Sequence, residues 1–419
     1  MSSVSPVIVQ RAMERENIAL PHGSAAVLRF GCLGVGLALI AATFWAGWSG
    51  DAQTAKIALH SYHIGFVYAL GLALGAMGFV MIFQQTNAGW SATVRRQFEN
   101  VMGSIWAPLG LFAFLVVMQA AFMGRFKDQD AFLFNWMNTA KYGEDHLLMK
   151  KAGYLNVQFF VVRAVVYFVV WVGLAGALYH FSRRQDDDGD KWHTFRARKL
   201  SSVGLIAFAF TTAFAGFDWL MSLDFHWYST MFGVYFFAGN AVSSVALVTL
   251  ILVMLRKFGR LVGCYTPEHQ HDMSKLLFAF TVFWAYIGFS QYFLIWYANI
   301  PEETAYYIAR KQGPWEYLSW ALPIGHFILP FLFLLPKPRR KSMTWVALWS
   351  VWMLVMHAMD LFYVVRPEAG DHFHWADATG IIGPILVMLG FVIQRVVNNP
   401  LIPTRDPRLL EALGHKNYV

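Results

Sequence analysis

The stretch Phe217 to Phe237, FDWLMSLDFHWYSTMFGVYFF, decides how the chain is built. It reads as the end of one membrane helix, a very short turn, and the start of the next. Asp218 sits inside the apolar run, while Asp224 and His226 sit in the turn. An ionisable group at membrane depth costs about 2.5 to 3.5 kcal/mol on insertion scales, so each one asks for a partner or a function.

Outward from that stretch, the composition sets the class. Hydrophobic residues make up 57% of the chain and charged residues only 14%, against about a quarter charged in soluble domains. The mean hydropathy is +0.44. Apolar runs recur at close to the length of about 20 residues that a helix needs to cross the hydrocarbon core, whereas barrel strands would be half as long and alternating. The fold class is therefore all-α: a polytopic membrane protein with ten transmembrane helices. The spans read as 25–48, 57–83, 101–121, 157–181, 201–221, 228–255, 276–300, 316–335, 343–365 and 379–394. Spans two to five (about 57–221) and six to nine (228–365) would make two four-helix bundles, with the first and last helices peripheral. Residues 1–24 and 395–419 form polar flanking segments.

An even number of crossings puts both termini on one side. Lys and Arg number 22 on that side and 9 on the other, with Arg29 and Arg163 inside spans completing the 33. The positive-inside rule then makes the termini of this multi-pass membrane protein cytoplasmic. The net charge of +8 is that loop asymmetry, with no nucleic-acid partner implied. Cys32, in an apolar run, and Cys264, in a polar loop, supply neither a CxxC pair nor a disulfide framework. No cleaved signal peptide is indicated. The long loop 122–156 carries DAFLFNWMNTA (Asp130 to Ala140), which fits either an interfacial helix or a packed loop. Residues 183–199 read as a solvated cytoplasmic linker, and PKPRRK at 336–341 as a proline stop with a basic anchor.

At 1.5 Å of rise per residue, spans running in both directions bring His60, His63, Arg163, Asp218 and Asp360 into the outer third of the membrane. Gln291 and His357 lie at its lower edge, and His326 somewhat deeper. His60 with His63, and His357 with Asp360, are spaced i,i+3 and share a helix face. An Asp beside a His orients the imidazole and suits it to accept protons near neutral pH. Arg163 offers a fixed charge for a carboxylate such as Asp218 or for a headgroup oxygen. Structural alternatives stand beside these readings: an Arg163–Asp218 brace, helix-end placement of His60 and His63, and a plain interhelical hydrogen bond for Gln291. A bis-imidazole haem between His60 or His63 and His326 or His357 is a further candidate. So are metal sites at DHFHW (371–375, with His372, His374 and Asp377) and EHQHD (268–272). Glu302 and Glu303 read as a helix cap after Pro301.

The opening stretch and FWAYIGFSQYFLIWYANIPEET (Phe283 to Thr304) resemble the F subunit of alternative complex III, a bacterial quinol:electron acceptor oxidoreductase. So do GYLNVQFFVVRAVVYFVVW (Gly153 to Trp171) and ARKLSSVGL (Ala197 to Leu205). The resemblance covers the fourth through seventh spans. It implies kinship with the membrane subunits of polysulfide-reductase-like enzymes, two four-helix bundles, and no haem or metal bound by this chain. The implied partners are a sister quinone-binding membrane subunit, an iron–sulfur subunit and a multihaem cytochrome c, along with membrane lipids. Haem c and iron–sulfur clusters belong to those partners, and quinol is the substrate of the whole. The expected function is a subunit of a quinol-oxidising respiratory complex with a proton path or quinone-like pocket in the periplasmic half. Its candidate residues are Arg163, Asp218, His357, Asp360, His63, His326 and Gln291. The other reading is a structural, lipid-binding scaffold.

Overall fold

A computed structural model describes residues 6–21, 23–126 and 129–417, and side chains from residue 9 onward. The outermost residues of both flanking segments therefore lie outside the described residues. Among those described there is no strand, and ten helices are long and apolar enough to cross a membrane. They are α1 (Ala26–Ser49), α2 (Ala52–Gln85), α3 (Gly89–Arg125), α4 (Val157–Asp188), α5 (Trp192–Leu223), α6 (Phe232–Lys257), α7 (Pro267–Ala298), α8 (Pro314–Leu334), α9 (Met343–Ala369) and α10 (Trp375–Asn398). Ten crossings leave both termini at one face, the terminal face. The opposite one is the far face.

The first bundle, α2 to α5, and the second, α6 to α9, are closely joined: α2 packs on α6 and α10 as well as on α3 and α5, and α6 packs on α2 and α5 as well as on α7 and α9. The apolar segment of α2 is 94% buried inside the protein, against 17% for α1, so α2 is the central post and α1 a lipid-facing flank. Helix α1 pairs with α10, and both rest on α2. Close approach needs small residues, because lipid offers no hydrophobic drive and van der Waals fit must hold membrane helices together. A Cβ on Gly65 would sit 2.5 Å from the Gly380 carbonyl oxygen, and one on Gly380 would sit 2.8 Å from the Tyr62 nitrogen. Any larger residue at either position would push α10 away from α2.

Two polar stretches read from sequence as loops are folded into helix. Helix α3 is bent, with a segment Ala92–Gly103 before the apolar segment Trp106–Arg125. All of Ala92–Gly103 is buried, including Arg95, Arg96 and Glu99. Their charges are matched at the terminal face: Arg95 to Glu99 at 2.9 Å and to Asp406, and Arg96 to Glu99 at 3.0 Å and to Asp186 at 2.7 Å. Asp186 belongs to the run expected to be a solvated linker. In fact α4 continues to Asp188, Gly189 ends it at φ 75°, and α5 begins at Trp192. Only the three residues between are connection. The tail folds back as well, with Leu401 and Ile402 fully buried and its backbone amide at Leu401 donating to the Ile18 carbonyl. Paired guanidinium and carboxylate groups make such burial tolerable, since each charge is met by hydrogen bonds.

At the far face, residues 129–156 form a packed loop with short helical turns at Asn135–Met137, Thr139–Tyr142 and His146–Lys151. Leu133, Phe134 and Trp136 are buried beneath it. The stretch Asp130 to Ala140 is thus a lid on the first bundle rather than a helix lying along the surface.

Candidate functional site

Five of the polar residues singled out from sequence, Arg163, Asp218, His326, His357 and Asp360, fall into two separate clusters near the far face. In the first bundle, Arg163 on α4 meets Asp218 on α5 through two hydrogen bonds, Nε to Oδ2 at 2.7 Å and Nη2 to Oδ1 at 3.0 Å. The third guanidinium nitrogen, Nη1, donates to the Tyr154 carbonyl at 2.9 Å. The Tyr154 ring lies 3.8 Å from the guanidinium carbon, and the Tyr167 hydroxyl donates to Asp218 Oδ2 at 2.7 Å. Arg163 and Asp218 are both buried. Bidentate geometry of this kind is the strongest form of a side-chain ion pair. Every guanidinium nitrogen and both carboxylate oxygens are engaged.

The second bundle holds a different arrangement. Asp360 on α9 accepts a hydrogen bond from the Tyr235 hydroxyl of α6, and one from the Trp284 indole of α7 at 3.1 Å. His357, one turn away, has Nδ1 3.7 Å from Asp360 Oδ2, too far for a hydrogen bond. His326 on α8 lies with its ring centroid 3.8 Å from that of Trp284 and 6.4 Å from that of His357. Both imidazoles are buried, and all four of their nitrogens lack a hydrogen-bond partner in the protein. Asn240 on α6 is also fully buried with both amide atoms unpartnered. Its neighbour Gly239 makes room for His357, since a Cβ there would lie 2.5 Å from the imidazole Cε1. Buried polar atoms are almost always satisfied. Tyr235, Trp284, His326, His357 and Asp360, from four helices, therefore form a polar cluster in which both imidazoles have spare hydrogen-bonding capacity.

Local backbone explains how His326 reaches this cluster. Helix α8 contains one π-helical turn, Pro323–Ile328, a feature that concentrates at functional sites. Pro330 has no N–H to return a hydrogen bond five residues back, so the Gly325 carbonyl is released from the helix. Instead it accepts from the Trp352 indole of α9 at 2.7 Å. That donor holds the widened turn against α9.

The remaining sequence candidates are structural in their contacts. His63 uses Nε2 on the Trp219 carbonyl at 2.7 Å, and His60 uses Nδ1 on the Lys56 carbonyl at 2.8 Å. A bis-imidazole haem needs two rings facing one axis across open space. Here His326 and His357 are packed against Trp284 and Tyr68, while His60 and His63 each have one nitrogen on a backbone carbonyl and the other buried without a partner. Gln291 accepts from Ser229 at 2.9 Å and donates to Tyr307 at 3.1 Å, an interhelical tie. His374 caps α10 by accepting from the Ala376 amide, and Asp377 pairs with Arg366 at 2.7 Å. In EHQHD, His269 lies against Thr266 at the start of α7 and Asp272 pairs with His415 at 2.5 Å. Among the described residues, no three His, Cys, Asp or Glu side chains gather as a metal-ligand group.

Sequence reasoning missed Tyr235 and Trp284, the two donors that hold Asp360. Trp284 carried a signal: with Leu277, Thr281, Ile287, Gln291 and Ile295 it follows the helical spacing of the buried face of α7. It also missed Arg310, which is buried over the Tyr306 ring at 3.5 Å and donates to the Tyr306, Tyr363 and Val364 carbonyls.

The chain matches no protein-family model, and no curated protein matches it as a relative.

Proposed function

We propose that this integral membrane protein is a subunit of a quinol-oxidising respiratory complex of the alternative complex III type, and that the cluster around Asp360 relays protons near the far face. The observation that carries the reading is the set of unpartnered imidazoles, His326 and His357, beside a carboxylate fixed by Tyr235 and Trp284. Oxidising a quinol releases protons with its electrons, and imidazole and carboxylate groups with free lone pairs are suited to take them. Intramembrane ionisable groups facing a bundle interior are the usual form of a proton relay. Under the positive-inside assignment the far face is periplasmic, where such protons would leave. Electrons travel through partner subunits that carry haem c and iron–sulfur clusters, and the sister membrane subunit takes the quinol.

Two measurements test the proposal. Purification of the tagged chain in mild detergent should bring down an iron–sulfur protein and a multihaem cytochrome c; isolation of a stable single chain would end the assignment to a complex. In the reconstituted complex, Asp360→Asn should lower the proton-to-electron ratio or the turnover while the complex stays assembled. An unchanged value would remove the proton role.

The scaffold reading is favoured by one specific observation, the saturated Arg163–Asp218 pair. It applies to the first bundle, whose charges brace α4 against α5.

A further inference from the structure

A cavity of about 250 Å³ lies at the far end of α4, α5 and α6, beside the Arg163–Asp218 cluster, with which it shares Tyr154. Lys151, Tyr154, Phe217, Met221, Trp227 and Tyr228 form most of its wall. Leu155 and Phe225 add apolar surface, and Ser222 is committed, its hydroxyl donating to the Asp218 carbonyl at 2.5 Å. Lys151 is the only charged residue in the lining. Its ammonium donates to the Phe225 carbonyl at 2.6 Å and lies 5.6 Å from the Tyr228 ring centroid, and among the described residues no carboxylate forms an ion pair with it. The two nearest acids are occupied elsewhere. Asp145 holds His226 at 3.0 Å and caps the turn His146–Lys151, and Asp224 lies 3.6 Å from the same His226. Their field reaches Lys151, yet burial outweighs it and pulls the amine below its ordinary range. Trp227 lines the same cavity, and its indole N–H is buried with no acceptor in the protein.

The wall thus offers an ammonium and an indole donor, with no acidic group to receive a cation. A quaternary or primary amine headgroup would find no counter-ion here, whereas a phosphodiester with a neutral alcohol beyond it would find two donors. Tyr228 is 55% exposed at the rim, and nearby Phe159, Val161 and Val162 on α4 are exposed toward the bilayer. From these features we infer that the cavity is a binding site for the headgroup of an anionic phospholipid, of the phosphatidylglycerol kind, in the far leaflet. Lys151 and Trp227 hold the phosphate oxygens, and Phe217 and Met221 lie along the glycerol and upper acyl chains. The inference does not rest on the respiratory reading and survives its failure.

Native mass spectrometry of the full-length protein, delipidated in mild detergent and titrated with phosphatidylglycerol or phosphatidylcholine, tests it. The unaltered protein should retain phosphatidylglycerol preferentially. Lys151→Gln should weaken that retention about tenfold, the equivalent of 1.4 kcal/mol, and Lys151→Arg should restore it. Trp227→Phe keeps the ring that stacks on Tyr306 at 4.0 Å but removes the donor, so it should weaken retention two- to threefold, on the order of a neutral hydrogen bond. If Lys151→Gln does not fold, the Arg and Phe variants alone decide. Equal retention of the two lipids, no effect of the substitutions, or displacement of the lipid by millimolar inorganic phosphate or by a quinone analogue at equal concentration would each overturn the assignment.

Discussion

Arg163 with Asp218, and His357 with Asp360, look alike in sequence: each pairs a basic group with a carboxylate at a similar depth from the far face. In three dimensions they differ in what is left over. Arg163 and Asp218 exchange two direct hydrogen bonds, and Tyr154 and Tyr167 take up the remaining capacity. Around Asp360 the carboxylate is held by Tyr235 and Trp284, while both nitrogens of His357 and of His326 are unmet. No hydrogen bond or ion pair joins the two clusters among the described residues. Saturation makes a brace, and spare capacity is what the proposed relay would use. The difference lies in the hydrogen-bond accounting rather than in residue type.

The largest effect should come from breaking the brace. Arg163→Met leaves Asp218 buried without its counter-charge and should cost about 3 to 5 kcal/mol, read from thermal unfolding of the purified protein in detergent. Adding Asp218→Leu should recover most of that loss; failure to recover would mean that the pair does more than hold α4 to α5. Next comes the relay. Asp360→Asn should slow turnover of the assembled complex by about 10²-fold, the lower range for a positioned acid–base group, with a smaller change in melting than Asp218→Asn produces. The reverse ranking would exchange the roles assigned to the two clusters.

Smaller effects sharpen the contrast. His326→Leu removes two unsatisfied nitrogens and should leave melting unchanged or raise it by about 1 kcal/mol, even as turnover falls. A clear loss of stability would show that the imidazole is structurally bonded. Trp352→Phe frees the Gly325 carbonyl and should cost about 0.5 to 1.5 kcal/mol, together with a loss of activity out of proportion to that cost as His326 drifts from Trp284.

Much of this was legible beforehand, for reasons that can be named. Each of the ten crossings was visible because bilayer thickness imposes its length on the chain. The kinship of His357 with Asp360 was visible because i,i+3 neighbours share a face whatever surrounds them. The buried helix Ala92–Gly103 was not, because Arg95, Arg96 and Glu99 look like a solvated turn until Asp186 and Asp406 arrive from the distant ends of α4 and the tail. Tyr235 was equally hidden, since an aromatic in a membrane helix reads the same whether it faces lipid or donates to Asp360.

By itself the sequence determined that the chain is a bundle of ten membrane helices, where the apolar part of each lies, and which ionisable groups fall at a similar distance from one face. Those properties depend on local periodicity and on the cost of exposing polar atoms to hydrocarbon. Tertiary structure alone decided which of those groups are spent on one another and which are left open. Partners for Asp218, Asp360 and Lys151 come from helices and loops far along the chain, and one π-helical turn sets the direction of His326. Hydrogen bonds are short and directional, so their completion is a property of packing between helices rather than of any one of them.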